Sequence, residues 1–264
     1  MDSNIPLIVS SCDKCSDLWQ PFFYLIKKNW PDFDRKVYLC TDSMTFAYEE
    51  FDIACPLKMP SGSTWSENLM ALLKGIGEDH VLLMLEDFWL KEKVDETQLH
   101  QCEEILKSDP TIGFICLIRQ LDSSLENPIS EKYPNLIEYG RHTPYRVTTQ
   151  AGLWRRDFLL SLLRKHESAW WFEMFGSKRS KRSEYHSYVV EKSVFSYDDG
   201  GVLFRGCYVE EYIKFFKDDK NISINSKRRT DSKEILMAEV KDKSFLQKMN
   251  PLYIYHYCLS LFER

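Results

Sequence analysis

The residues best suited to chemistry in this chain are two adjacent acids, Glu86 and Asp87, placed directly after the apolar run Val81 to Leu85. Burying an unpaired carboxylate costs several kcal/mol, so acids at the end of a buried strand need a cation, a donor network or water. One solution is a hard divalent ion, Mn2+ or Mg2+, held by one or two carboxylates together with waters and phosphate oxygens; it would neutralise a departing diphosphate. A turn cap or a nearby arginine would satisfy the same acids without any reaction. A second constellation is Trp170-Trp171-Phe172-Glu173. Aromatic faces pack on the apolar side of sugar rings, and an adjoining carboxylate can take the proton of an attacking hydroxyl. The plainer reading is a core-facing aromatic helix with Glu173 in solvent. A third is the stretch Gly176 to Ser183, where Lys178, Arg179 and Arg182 stand among serines. Read as a loose loop, it offers cations and hydroxyls to phosphate oxygens; read plainly, it is a solvated basic loop.

Eight cysteines are scattered along the chain, and only Cys12 and Cys15 form a CxxC pair. A structural zinc site would need a second pair or histidines at matching spacing, and neither is present. The pair reads either as a thiol-disulfide redox centre at the start of a helix or as two small residues in a strand-to-helix turn.

These groups have to be positioned by a scaffold, and the first half of the chain alternates strand and helix. Leu7 to Ser10, Lys36 to Cys40, Val81 to Leu85 and Ile112 to Ile118 are short apolar strands of the kind buried on both faces of a parallel sheet. Between them, Leu18, Phe22, Leu25 and Ile26 recur at helical spacing. Thr64 and Glu67 make a capping box before Leu69, Leu72, Leu73 and Ile76, with Gly77 as the terminating residue. Asp95 and Gln98 cap a further helix. The later chain is expected to hold a strand at Tyr145 to Gln150, a helix at Phe158 to Leu163, and a hairpin of Val194 to Tyr197 with Val202 to Phe204 across Asp198-Asp199-Gly200-Gly201. The remainder reads as helices. This alternation predicts an α/β/α sandwich of Rossmann type with a mostly parallel sheet, in one domain spanning residues 1–264. In such sheets ligands bind beyond the carboxyl ends of the strands, which directs attention to Ser11 to Asp13, Asp42, Glu86 with Asp87, and Arg119.

Composition narrows the field further. With 264 residues, 44% hydrophobic and 28% charged, the chain can fill a sizeable core. A net charge of -5 argues against nucleic acid as a partner. The longest apolar run is too short to span a bilayer, and Met1 to Pro6 is polar rather than leader-like, so a cytoplasmic protein is expected.

An ordered set of segments resembles bacterial surface-polysaccharide glycosyltransferases of the capsule and lipopolysaccharide type. The set is Ser10-Ser11-Cys12-Asp13, Val37-Tyr38-Leu39 with Thr41-Asp42, Trp65-Ser66-Glu67-Asn68-Leu69, Val81 to Phe88, Gln150-Ala151-Gly152-Leu153-Trp154-Arg155-Arg156, and Glu167-Ser168-Ala169-Trp170 through Phe172-Glu173 to Gly176-Ser177. It covers most of residues 5–183 and is faint over the last eighty or so. The resemblance implies the GT-A fold of nucleotide-diphospho-sugar transferases, with a donor lobe over residues 1–118 and an acceptor lobe over 119–264. It implies transfer from a nucleotide sugar, UDP-sugar favoured, to a saccharide or lipid-linked saccharide, with peripheral attachment at the inner face of the membrane. By the same likeness Ser10, Ser11, Asp13 and Asp42 lie near the nucleotide, and Trp65, Ser66 and Glu67 border the donor. Glu86 and Asp87 stand where the family's Asp-x-Asp motif ends the central strand, with Asp87 as the metal ligand. Gln150 and Gly152, together with Trp170 and Trp171, line the acceptor side; in an inverting enzyme Glu173 or another carboxylate is the base, whereas a retaining enzyme needs none. His256 corresponds to a late metal ligand of some retaining relatives, although a lone histidine among tyrosines is more often structural. Leu85 occupies the place of the motif's first acid, which leaves metal dependence open. The competing functions are a non-catalytic carbohydrate- or nucleotide-binding protein on the same fold, a nucleotidyltransferase, disfavoured because Ser10 to Lys14 lacks glycine, and the CxxC oxidoreductase.

Overall fold

The computed structural model describes residues 5–119, 130–198, 200–239 and 251–262. Its centre is an eight-stranded sheet. The strands are β1 (Leu7–Ser10), β2 (Val37–Cys40), β3 (Ile53–Ala54), β4 (His80–Leu85), β5 (Ile112–Cys116), β6 (Leu136–Glu138), β7 (Gly152–Arg155) and β8 (His186–Val190), in the spatial order β3-β2-β1-β4-β7-β5-β8-β6. The first four in that order run parallel, β5 and β8 are parallel to each other, and β7 is inserted antiparallel between β4 and β5. β6 closes the far edge antiparallel to β8.

Strand alternation sorts the core into two layers. Leu7, Val9, Val37, Leu39, Leu82 and Met84 point to one face, where α1 (Trp19–Asn29) and α3 (Glu96–Ser108) supply Phe22, Phe23, Ile26, Leu99 and Leu106. Ile8, Tyr38, Val81, Leu83 and Trp154 point to the other. There α2 (Trp65–Gly75), α4 (Arg156–Leu162) and α5 (Ala169–Ser180) supply Leu69, Leu72, Leu73, Phe158, Leu159 and Phe172. Strands covered on both sides must be apolar throughout, which is why β1, β2 and β5 read as continuous hydrophobic runs. Gly113 lets α4 settle on the sheet: a Cβ there would stand 2.3 Å from the Phe158 ring.

Local chemistry follows expectation in the first half. Thr64 and Glu67 form the capping box of α2, and the Asp95 carboxylate accepts from the Gln98 amide at the start of α3. Helix α2 ends at Gly75, with Ile76 rather than Gly77 as the closing residue, because the chain leaves it in extended form. The later elements depart from expectation. Tyr145 to Gln150 is irregular, with Tyr145 at φ 52, and the strand begins at Gly152. The hairpin lies further along than expected, between β9 (Leu203–Phe204) and β10 (Cys207–Val209), and turns at Arg205-Gly206. Both turn residues have positive φ, the twist that a two-residue hairpin turn requires. Instead of helices alone, the rest adds β11 (Thr230–Asp231) paired with β10, the short α6 (Glu210–Ile213), and α7 (Pro251–Phe262). Among the described residues no helix is long and apolar enough to cross a membrane.

Two buried ion pairs pin helices to the rest of the chain. Arg35 meets Glu103 of α3 with side chains 1% and 2% exposed, and Arg179 of α5 meets the fully buried Glu167. Removing one member of such a pair leaves an uncompensated charge in the core. Glu103→Ala is expected to destabilise the fold by about 3–5 kcal/mol, whereas replacing Arg35 and Glu103 together with apolar residues of similar volume should recover most of the loss, as urea unfolding would measure.

Candidate active site

β1, β2 and β4 are parallel, so the residues following each of them emerge at one edge of the sheet. There they line a cavity of about 710 Å³. Its wall contains Ser10, Ser11, Cys12, Asp13 and Lys14 after β1, Asp42 and Ser43 after β2, and Leu85, Glu86 and Asp87 after β4. Residues 61–63, Trp65 and Asn68 of α2, and Ala169 of α5 complete it.

Two of these acids lock the floor. The Asp13 carboxylate accepts from the backbone amides of Asp42, Ser43 and Met44 and from the Ser43 hydroxyl, while the Asp42 carboxylate accepts from the Asp13 amide at 3.1 Å and from the Asn68 side chain at 2.6 Å. Burial alone would raise the Asp13 carboxyl, but the donors from Ser43, Met44 and Asp42 outweigh it and hold the group below its ordinary value. Trp19 steadies the other side by donating to the Ser11 hydroxyl at 2.7 Å.

Glu86 and Asp87 both reach this cavity. Strict strand alternation would send them to opposite faces, but the strand ends at Leu85 and the two acids lie in the turn beyond it. Neither is paired with a guanidinium in any described ion pair. Burial drives the Glu86 carboxyl up, the neighbouring Asp87 adds to the rise, and a hydrogen bond with the Cys15 thiol partly offsets it. Asp87 is pushed up by burial, against a hydrogen bond from the Leu203 amide. Gly201 lies directly over this carboxylate: at φ +78, a Cβ there would stand 2.5 Å from the Asp87 carboxyl carbon. The adjoining Val202 amide donates to the Asp87 carbonyl at 2.9 Å. Gly201, the last residue of the run read as a hairpin turn, and Val202 after it therefore hold Asp87 in place. Four residues of the cavity wall carry a buried polar atom with no partner: Ser10 Oγ, Trp65 Nε1, Asn68 Oδ1 and Asp87 Oδ1. Such atoms cost about 1–3 kcal/mol each when nothing satisfies them.

The same wall bears on a metal ion. No group of three or more potential protein ligands occurs among the described residues. Two adjacent carboxylates, those of Glu86 and Asp87, fit the one or two that a hard divalent ion takes from a protein when other oxygens complete its shell. The side chain of His256 lies outside the described residues, so its assignment as a late ligand falls there too.

A second cavity of about 1210 Å³ adjoins the first and includes Arg119, Tyr145, Thr148, Gln150, Glu173 and Tyr197. The two flank one turn of α5, since Ala169 lines the first and Glu173, four residues on, lines the second. Glu173 is oriented by Thr149, whose amide and hydroxyl both donate to Oε1, at 2.7 and 2.8 Å. Gln150 accepts from the Tyr197 hydroxyl at 2.9 Å, and the Tyr197 ring stacks on Phe88 at 4.4 Å, so the wall of the second cavity is tied to the residue after Asp87.

Other residues singled out in the sequence lie elsewhere. Lys178 and Arg179 belong to the last turn of α5 instead of a loose loop. Arg179 is taken up by Glu167 and by the carbonyls of Leu162 and Ser260, Lys178 lies over the Phe175 and Tyr257 rings, and Arg182 follows in the turn after the helix. None of the three lines either cavity, because the hydroxyls of Ser177 and Ser180 bond to backbone carbonyls and allow the helix to continue. Glu67 is occupied in capping α2, and Ser66 is buried behind it. Gly152 sits within β7, where its missing side chain admits the Phe114 ring and not an acceptor. Trp170 is 51% exposed, and Trp171 packs on Phe175; neither lines either of these two cavities. Conversely, Lys14, Asn68 and Gly201 enter the site without having been given a role in it, whereas Cys12 falls within the stretch after β1 already singled out. Only the position of Lys14, just after β1, could have signalled the first of them.

No protein-family model matches this sequence, and no curated protein matches it significantly. Among solved structures, the chain is similar to the mannosyltransferase PcManGT from Pyrobaculum calidifontis in complex with GDP-Man and Mn2+, at a TM-score of 0.51 and 15% identity, over 97% of this chain and 73% of that one. It is also similar to S. aureus TarS 1-349 in complex with UDP-GlcNAc, at a TM-score of 0.49 and 12% identity, over 80% of this chain and 64% of that one. The chain thus spans under two thirds of the TarS 1-349 structures, 59% in the other of them. Likeness at these identities is likeness of fold, and the fold is GT-A-like: an α/β/α arrangement about a mostly parallel central sheet.

The raised carboxyl at Asp87 makes the site sensitive to pH. A carboxyl whose folded-state value lies above its unfolded one favours the fold most when protonated. That contribution is complete below the ordinary carboxylate range and is lost as pH rises through about 7. Without divalent ions, the stability of the wild type relative to Asp87→Asn should therefore fall steadily between about pH 4 and 7 in urea unfolding. A flat difference would show that the carboxyl titrates normally. Gly201→Ala should cost about 1–3 kcal/mol in the same measurement, through backbone strain and displacement of Asp87.

Proposed function

We propose that the chain is a glycosyltransferase that moves the sugar of a nucleotide diphosphate sugar, UDP-sugar favoured, onto a saccharide hydroxyl in surface-polysaccharide assembly. The observation that carries this reading is the convergence of the adjacent acids Glu86 and Asp87, in the turn after β4, with Asp13 and Asp42 on one cavity at the carboxyl ends of β1, β2 and β4. The likeness in fold to a mannosyltransferase whose structure holds GDP-Man and Mn2+ supports a donor of that class.

On this reading residues 1–118 form the donor lobe, and the interlocked Asp13 and Asp42 present the nucleotide with a rigid floor. Glu86 and Asp87 hold Mn2+ or Mg2+, which when bound neutralises the charge of the departing diphosphate. Lys14 adds positive charge to the same wall. Residues 119–264 form the acceptor lobe: Gln150 orients the acceptor, and Glu173, fixed through Oε1 by Thr149, takes the proton of its attacking hydroxyl. Attack from the second cavity onto a donor in the first, opposite the leaving diphosphate, inverts the anomeric carbon.

Thermal unfolding with a panel of uridine and guanosine diphosphates and their sugars, with and without Mn2+, tests the donor site. At least one nucleotide should raise Tm by several degrees, and Asp87→Asn should abolish the metal-dependent part. No shift with any nucleotide would refute the reading. Glu173→Gln should retain nucleotide binding while transfer falls about 10²- to 10⁴-fold. Leu85 in place of a first acid favours one rival, a binding protein without turnover; nucleotide binding with neither donor hydrolysis nor transfer in the wild type would select it.

A further inference from the structure

The CxxC pair has no part in the proposed reaction, yet it stands at the same cavity. Cys12 lines the wall beside Asp13, and the Cys15 thiol is hydrogen-bonded to Glu86. The two sulfurs are 3.7 Å apart, and the Cys15 amide donates to the Cys12 carbonyl at 2.9 Å. That backbone turn keeps the two Cα atoms within about 7 Å, inside the range a disulfide spans, so side-chain rotation can bring the sulfurs to bonding distance. The remaining cysteines behave differently: Cys40, Cys102 and Cys116 are buried in the core, and no other pair of sulfurs is in contact among the described residues. Nor do the two thiols belong to a described cluster of three potential metal ligands.

We propose that Cys12 and Cys15 form a reversible disulfide, made by exchange with a low-molecular-weight disulfide such as oxidised glutathione, and that its formation weakens nucleotide binding in the adjoining cavity. The Cys12 thiolate, its proton released to solvent, attacks one sulfur of the glutathione disulfide. A mixed disulfide forms, and the first glutathione thiolate leaves and takes up a proton. Cys15 then attacks the Cys12 sulfur, its proton passing to the second glutathione thiolate as that leaves. The two protein thiols are oxidised by two electrons, and one glutathione disulfide is reduced to two thiols. Cys12 is the attacking sulfur because it lines the cavity, which Cys15 does not, and its Sγ stands 3.7 Å from the Cys15 sulfur that resolves the mixed disulfide. Oxidation removes the Cys15 thiol proton, and with it the donor that faces Glu86 beside Asp87. The effect on nucleotide affinity rests on the donor-site reading above; formation of the disulfide does not.

The full chain equilibrated in glutathione buffers of graded ratio, quenched in acid, alkylated and digested with trypsin gives the first test. Trypsin cuts after Lys14, so a Cys12–Cys15 bond would hold together two peptides that otherwise separate. Expected is a linked pair that forms with rising oxidised glutathione and disappears on return to reduced glutathione. A lasting glutathione adduct on Cys12 with Cys15 still alkylated, or both thiols alkylated throughout, would overturn the proposal. The second test compares nucleotide affinity, with Mn2+, between reduced and oxidised protein: about tenfold weaker binding is expected on oxidation, the scale of one lost hydrogen bond to a charged group, with no change for Cys12→Ser. A linked pair with unchanged affinity would overturn the control of binding. If the reduced protein binds no nucleotide while the linked pair still forms, it is the donor-site reading that fails.

Discussion

Charge at the tip of a buried strand is the constraint around which this molecule is arranged. β4 lies between β1 and β7, covered by helices on both faces, and such a strand can leave the core only through a turn. Two carboxyls occupy that turn. Burial favours the neutral form of both, and for Glu86 the neighbouring Asp87 adds to it, so the surroundings must either tolerate protons on them or supply positive charge when a ligand arrives. Much of the nearby architecture follows from this. Gly201 packs its backbone on Asp87 where any side chain would collide, Cys15 donates to Glu86, and Phe88 stacks on Tyr197 to anchor the turn from behind. Rigidity around an uncomfortable group is what a site needs if its reaction depends on developing charge at a fixed place.

The rest of the cavity is held by cross-links between strand ends that are distant in sequence. Asp13 and Asp42 each accept from the other's backbone, which ties the loop after β1 to the loop after β2, and Asn68 brings α2 into the same network. Both carboxylates are thereby satisfied internally, while Asp87 keeps one carboxylate oxygen without a partner. Within one wall the polar groups divide into those that keep shape and those that await a partner. The second cavity repeats the arrangement: Thr149 spends both donors on one oxygen of Glu173 and fixes its direction.

Legibility in the sequence varied with how local the cause was. The capping boxes and caps at Thr64, Glu67 and Asp95 were readable because both partners lie within one helical turn. The strands before Ser11, Asp42 and Glu86 were readable because burial on both faces leaves their middles continuously apolar. Parallel pairing then put the three polar ends on one edge. The basic run at Lys178 to Arg182 misled for the opposite reason: composition suggested an open loop, but Arg179 has its partner Glu167 twelve residues away, across the bend before α5, and the helix continues through the serines. Gly201 was noticed for its turn and not for Asp87, which lies more than a hundred residues earlier.

What the amino-acid order determined by itself was therefore the alternating α/β scaffold, the apolar faces, and the place at which acids leave the core, since each depends on residue type and short-range period. Only the tertiary structure decided that Glu86 and Asp87 open into one cavity, that Asp13 and Asp42 lock each other, that Cys15 touches Glu86, and that Glu67, Gly152 and Arg179 serve the framework. Those outcomes depend on which distant segments meet. Spacing along a chain cannot specify such meetings, because a hydrogen bond or ion pair is set by distance in space.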